Sequence, residues 1–147
     1  MNRLITRSII SATLIVTIAS GCADAAKSKA DDVMKTAGVE VAGKGKLPTD
    51  FPNDVPTPAL PLETAVGAVG TFTLRYTSTE AKKDAVAYQK VLEKAGYMLT
   101  GEVDALDGGS HNFTVTARKG TTHIEASAFT AAAPGGGNYL AVVVTPA

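Results

Sequence analysis

The change of hydrophobic period along this chain is the feature that most constrains its fold. Between residues 80 and 95, apolar side chains recur at alternating spacings of four and three, which is the pattern of a helix with one buried stripe. That stripe consists of Ala81, Ala85, Tyr88, Leu92 and Ala95. On both sides of this segment apolar residues occupy every second position, as in half-buried strands. One amphipathic helix among several such strands predicts an α+β domain.

Both ends of the predicted helix carry boundary signals. Residues 77–80, Thr-Ser-Thr-Glu, supply hydroxyl groups and have the spacing of a capping box. Gly96 suits the position that follows the last helical turn, where a left-handed backbone conformation is common. The helix is therefore expected to begin near Glu80 and to end at Ala95.

The strand pattern predicts the order β-β-α-β-β-β-β, with an antiparallel sheet covered on one face by the helix and open on the other. Strands are expected at 63–66 and 71–76 before the helix, and at 97–103, 113–118, 124–128 and 139–145 after it. In the first strand after the helix, Tyr97, Leu99 and Val103 are expected to share the buried face. The alternation turns a second set of side chains outward: Thr73, Arg75, Thr114, Thr116, Arg118, His123 and Glu125.

The N-terminus has the three parts of a secretory signal. Arg3 and Arg7 form the positive region, residues 9–18 the apolar region, and Ala19-Ser20-Gly21 the small residues before Cys22. Polar residues interrupt the apolar run, which is too short for the roughly 20 residues of a spanning helix. The small residues before a lone cysteine resemble a bacterial lipobox, although Ala19 stands where leucine is most common. This resemblance implies cleavage before Cys22 and diacylglyceryl transfer to its thiol; the alternative is an ordinary secreted protein cut near Gly21.

Charge and cysteine content exclude several classes of function. Removing residues 1–21 takes away two of the 14 basic side chains and none of the 14 acidic ones, which leaves a net charge of −2. A slightly acidic domain lacks the positive surface that nucleic acid requires, so no nucleic-acid partner is expected. Cys22 is the only cysteine, and lipidation consumes its thiol. Disulfides, cysteine-rich metal sites and a cysteine nucleophile are therefore not expected.

The composition divides the mature chain into three parts. Residues 22–46 are rich in Ala, Lys, Asp and Gly and are expected to form the lipidated N-terminus and a flexible spacer, with a short marginal helix over 25–36 stopped by Gly38. Residues 47–61 contain closely spaced prolines, which forbid regular helix. This Pro-rich strap is either a stiff linker or a segment that lies against the domain through Phe51, Val55 and Leu60. Residues 62–147 form the α+β domain.

The proline-rich string from Leu47 to Pro58, LPTDFPNDVPTP, precedes a strand, a helix ending in Leu-Glu-Lys-Ala-Gly-Tyr, and a β-meander. This arrangement, over residues 47–145, resembles small uncharacterised bacterial lipoproteins, mainly actinobacterial. The order of elements is also similar to helix-grip domains such as those of the outer-membrane assembly lipoprotein BamC, as a fold analogy only. Neither resemblance implies a catalytic residue.

The chain offers few residues for metal binding or catalysis. Zinc sites typically need three or four ligands, and His111 and His123 are the only histidines. Asp107 or Glu125 would have to complete such a site, so two solvated histidines are the favoured interpretation. Asp107, Ser110 and His111 have the residue types of a hydrolytic triad, but they are compressed into five positions. No metal and no cofactor is therefore expected.

These observations predict a non-enzymatic, lipid-anchored protein on the extracytoplasmic side of the cell membrane, or on the outer membrane of a host that has one. It is expected to bind an envelope protein or to serve an architectural role. The alternative is a small-ligand or metal-binding lipoprotein that uses the open sheet face. The candidate residues on that face are Arg75, Arg118, His123 and Glu125.

Overall fold

A computed structural model of the protein describes residues 33–107, 110–130 and 137–146. These residues form one seven-stranded antiparallel sheet with a helix packed on one face, which confirms the predicted α+β class. The strand order is β1-β2-β3-β7-β6-β5-β4. The elements are β1 (Val39–Ala42), β2 (Leu62–Ala68), β3 (Thr71–Thr77), α1 (Ala81–Lys94), β4 (Met98–Asp107), β5 (Ser110–Lys119), β6 (Thr122–Thr130) and β7 (Tyr139–Thr145).

The first strand corrects the expectation that residues 22–46 form only a flexible spacer. Val39–Ala42 pairs with β2 and becomes an edge strand of the sheet, with Val39 opposite Ala68 and Val41 opposite Val66. A four-residue strand has too weak a pattern of its own, and the exposed edge of β2 supplies the pairing groups. Residues 33–36 are helical and Gly38, at φ +68°, ends that turn. The rest of the predicted spacer helix, the signal peptide and Cys22 lie outside the described residues.

The helix and the Pro-rich strap together cover one face of the sheet. Helix α1 packs against β4, β5, β6 and β7. The strap packs beside it, where Phe51 meets Phe72 of β3 edge to face at 5.4 Å and Val55 is also buried. The strap therefore belongs to the folded domain, because its two large apolar side chains leave water only by covering the sheet. No described element covers the opposite face of the sheet.

The helix boundaries follow the predicted signals at one end and differ at the other. At the C-terminal end, Tyr97 N donates to Leu92 O at 2.9 Å and Gly96 N to Glu93 O at 3.0 Å, with Gly96 at φ +85°. These are the two hydrogen bonds of a Schellman motif. At the N-terminal end, Ser78 supplies the hydroxyl: it accepts from Glu80 N at 3.1 Å and donates to the Asp84 carboxylate at 2.5 Å. The capping-box spacing predicted that Glu80 would take part in the cap, but the helix has no side-chain cap hydrogen bond at Glu80, and the acid that contacts the Ser78 hydroxyl is Asp84.

A bulge in β4 reverses the face predicted for Val103. The register with β5 shifts between Leu99 and Gly101, and the extra residue moves every later side chain to the other face. Val103 consequently points away from the core and is 60% exposed. Asp104 lies opposite the buried Phe113, on the face that carries the helix. Period-two alternation alone cannot locate such a bulge.

Candidate functional site

The open face of the sheet, defined as the face turned away from α1 and the strap, carries all four predicted candidate residues. Arg118 lies directly opposite His123 on adjacent strands, and Glu125 lies opposite Thr116. Arg75 is on β3, three strands away from β5, or about 14 Å at the usual strand spacing. All four side chains are exposed. The structure therefore brings Arg118, His123 and Glu125 together and leaves Arg75 apart.

The charged side chains of the open face have local partners. Arg118 Nε donates to the Gly120 carbonyl at 3.1 Å, across the turn that follows β5. Arg75 Nε lies 3.1 Å from the Glu63 carboxylate on the neighbouring strand. The Glu125 carboxylate accepts a long hydrogen bond, 3.5 Å, from the Ser127 hydroxyl. These contacts spread the charges over the face. A catalytic centre requires side chains that converge on one reacting atom, and these charges do not converge.

Two aromatic residues on the open face were missed by the sequence analysis. Phe129 and Tyr139 lie opposite each other on β6 and β7, and their rings stack with centroids 5.3 Å apart and planes 25° apart. The Arg75 guanidinium lies 4.2 Å from the Tyr139 centroid, which is a cation–π geometry. We call this set of three residues the Arg75 stack. The signal was available, because Phe129 follows Glu125 and Ser127 at period two and therefore shares their face.

Hydroxyl groups fill the centre of the open face. Thr114 and Ser127 hydroxyls are 2.9 Å apart, and Thr100 Oγ1 donates to Thr116 Oγ1 at 3.1 Å. Thr116 also donates to the Gly101 carbonyl at 3.3 Å. Hydroxyl groups can act as donors or acceptors, so they re-pair readily when another polar surface approaches. The face as a whole combines hydroxyls, opposite charges and one aromatic stack.

A second polar cluster lies at the helix-covered face, around Asp104. Lys82 Nζ of α1 is 2.6 Å from one oxygen of this carboxylate, and His111 Nε2 is hydrogen-bonded to the other. The two hydrogen bonds, from Lys82 first and then from His111, lower the pKa of the Asp104 carboxyl below its ordinary value. His111, expected to be a solvated histidine, is thus paired, and it joins β4 to β5 with the helix above them. We interpret this cluster as a surface ion-pair network that fixes the position of α1.

An open groove of about 770 Å³ runs along α1, between Thr79 and Lys90. Its walls include Lys82, Lys83, Lys90, Val86 and Asn138. Within residues 33–107, 110–130 and 137–146, no group of three or more histidine, aspartate or glutamate side chains is placed to hold a metal ion. The groove therefore offers ammonium groups and apolar surface, without a set of converging acid, base and nucleophile.

The described part of the chain contains no helix that is long and apolar enough to cross a membrane. Comparison of the chain with protein-family models, curated proteins and solved structures gave no match.

Proposed function

We propose that this protein is a lipid-anchored module of the cell envelope whose open face binds an envelope protein, without catalysing a reaction. The observation that carries the proposal is the asymmetry of the sheet. One face is covered by α1 and the strap, whereas the other presents hydroxyls, separated charges and the Arg75 stack to solvent. Aromatic and arginine side chains such as those of the Arg75 stack are enriched at protein–protein contact surfaces.

The location is supported by the N-terminal sequence. Positive residues, an apolar run and Ala19-Ser20-Gly21 before Cys22 have the arrangement of a lipoprotein signal. Two or more acyl chains hold a protein stably at a bilayer, whereas a single chain does so only marginally. A module anchored in this way acts on the extracytoplasmic side of the cell membrane, or at the outer membrane where the host has one.

Cell fractionation of a Cys22→Ala variant tests the anchor. Without the thiol, lipidation cannot occur, so the variant should leave the membrane fraction or remain unprocessed. A Thr36→Ala variant serves as the control because it leaves the cysteine intact and lies outside the signal. An unchanged mature mass together with normal membrane retention in Cys22→Ala would contradict the anchor.

A charge swap on the open face tests the contact surface. In the double variant Arg118→Glu and Glu125→Lys, the net charge stays the same while both local charges reverse. The matched control is Lys90→Glu with Glu93→Lys, which makes the same exchange on the exposed side of α1. Both pairs are exposed, so each double variant should change the free energy of unfolding by less than about 1 kcal/mol.

Crosslinking in intact cells followed by mass spectrometry supplies the readout. The open-face variant should lose the crosslinks to its main envelope partner, and the helix variant should keep them. If the helix variant loses them and the open-face variant keeps them, the contact lies on α1 and the assignment of the open face is wrong.

A further inference from the structure

The turn between β2 and β3 holds an apolar residue in a conformation that disfavours it. Val69 and Gly70 form a two-residue connection closed by the pair Ala68 and Thr71, and both turn residues have positive φ, +48° and +77°. This backbone suits Asn-Gly, whereas β-branched residues rarely adopt it. Val69 is also 89% exposed, so core packing does not account for its presence. A strained residue that contributes nothing to the core points to a contact outside the domain.

The β2–β3 turn lies at the end of the sheet where the N-terminal tether, residues 23–32, joins the domain. Gly38, which leads into β1, borders the same shallow hollow of about 250 Å³ as Val69 and Gly70. The helical turn just before Gly38 exposes two more apolar side chains, Val33 and Met34. Residues 23–32 connect this point to Cys22, and eleven peptide steps reach about 38 Å at most. The end of the sheet with the β2–β3 turn is therefore the end closest along the chain to the lipid anchor.

The β2–β3 and β4–β5 hairpins differ in charge. No charged residue occurs between Glu63 and Arg75, so the tip of the β2–β3 hairpin can enter a lipid headgroup layer without losing the hydration of an ionised group of its own. Glu40 and Asp50 border the hollow beside this turn. The β4–β5 hairpin lies at the opposite end of the sheet and carries Glu102, Asp104 and Asp107. The tip of the β2–β3 hairpin is thus free of charge, and this polarity favours its approach to a membrane.

We propose that the β2–β3 turn contacts the lipid bilayer, with the Val69 side chain inserted among the headgroups and the strands directed away from the surface. This inference rests on the proposed lipid anchor. The anchor already confines the domain to the surface, and a tethered second contact needs little intrinsic affinity. The exposed Val69 therefore only has to bias the orientation of a domain that the anchor already holds at the surface, and it would not bind a membrane alone.

Fluorescence quenching in reconstituted vesicles tests the contact. The chain contains no tryptophan, so Val69→Trp introduces a single reporter, and Leu106→Trp places a matched reporter at the far end of the sheet. Leu106 is comparably exposed, at 78%. Each full-length lipidated variant is incorporated into vesicles of equal parts phosphatidylcholine and phosphatidylglycerol with brominated acyl chains. Tryptophan at position 69 should be quenched severalfold more than tryptophan at position 106.

Equal quenching at the two positions, or stronger quenching at position 106, would overturn the proposed contact while leaving the lipid anchor intact. Mass spectrometry of the same preparation reports the lipid on Cys22 independently, and an unmodified cysteine would overturn both proposals.

If Val69→Trp fails to fold, Val69→Cys carrying a polarity-sensitive fluorophore gives the same comparison with Leu106→Cys. A photo-crosslinking residue at position 69 should form adducts with lipid; adducts with a protein or with a second copy of the chain would overturn the assignment of lipid as the partner.

Discussion

The hydroxyl of Tyr88 donates a hydrogen bond of 2.8 Å to the carbonyl of Pro56, which ties helix α1 to the Pro-rich strap. Tyr88 is 2% exposed, and so is Tyr76 on the sheet beneath it. The Tyr76 hydroxyl is buried without a hydrogen-bond partner among the described residues. The two tyrosines therefore share an environment and differ in whether the hydroxyl is satisfied.

This difference predicts opposite outcomes for the same chemical change. Tyr88→Phe should lower the free energy of unfolding by about 1 kcal/mol, because it leaves the half-buried Pro56 carbonyl without its donor. Tyr76→Phe should leave the free energy of unfolding unchanged within about 0.5 kcal/mol or raise it, since the lost hydroxyl has no partner. Urea unfolding of both variants makes the comparison. A larger loss for Tyr76→Phe would show that its hydroxyl is satisfied in solution.

The buried tyrosines also predict sensitivity to alkali. Burial raises the pKa of Tyr76 to about 12 and raises that of Tyr88 as well, from an ordinary value of 10.0. A pKa that is higher in the folded state favours the protonated form, so the associated stability is present below pH 10 and is lost as the pH rises through the folded value. Tyr76→Phe should reduce the fall in melting temperature between about pH 10 and 12. An identical alkaline profile for wild type and variant would contradict this.

The helix stripe predicts a contrast between two nearby residues of α1. Leu92 is fully buried, and Leu92→Ala should lower the free energy of unfolding by about 2–5 kcal/mol through lost burial and the resulting cavity. Lys90 is exposed, and Lys90→Ala should change the free energy of unfolding by less than about 0.5 kcal/mol. Denaturant midpoints of the two variants give the test. Equal midpoints would mean that the stripe does not face the core.

The Asp104 cluster predicts a stability difference that disappears in acid. The hydrogen bonds from Lys82 and His111 lower the pKa of Asp104 from 3.8, so the pairing is present above that pH and is lost as the pH falls through the lower, folded value. Asp104→Asn should therefore lower the melting temperature near neutral pH and have little effect at about pH 2. The difference should also shrink at high salt, because this pair is exposed. A constant difference at every pH would exclude the carboxylate as its cause.

Strain at the β2–β3 turn predicts that a polar substitution stabilises the domain. Val69→Asn creates the Asn-Gly sequence that this turn favours, and the free energy of unfolding should rise by about 1 kcal/mol. Val41→Asn is the control, because Val41 is also an exposed valine but lies in the regular strand β1. The control should be neutral or slightly destabilising, since asparagine is disfavoured in strands. Thermal unfolding measures both, and a lower melting temperature for Val69→Asn would contradict the strain.

The sequence by itself determined the elements in which apolar residues recur with a strong local period. The stripe from Ala81 to Leu92 and the glycine at 96 set α1 within one residue of its observed ends, because helix periodicity and C-terminal capping involve neighbours along the chain. The alternation around Leu74, Val115 and Ile124 likewise determined which side chains are buried. From these the α+β class and the outward position of Arg75, Arg118, His123 and Glu125 followed.

Contacts between distant segments were decided only by the tertiary structure. Strand β1 exists because β2 offers an edge, and the strap packs because Phe72 and Tyr88 are placed to receive it. The bulge between Leu99 and Gly101 depends on pairing with β5 and moves Asp104 to the helix side. The Arg75 stack likewise joins residues from three strands, whose adjacency is a property of the strand order. No local pattern specifies such pairings, because the energy that selects them comes from surfaces the chain brings together only on folding.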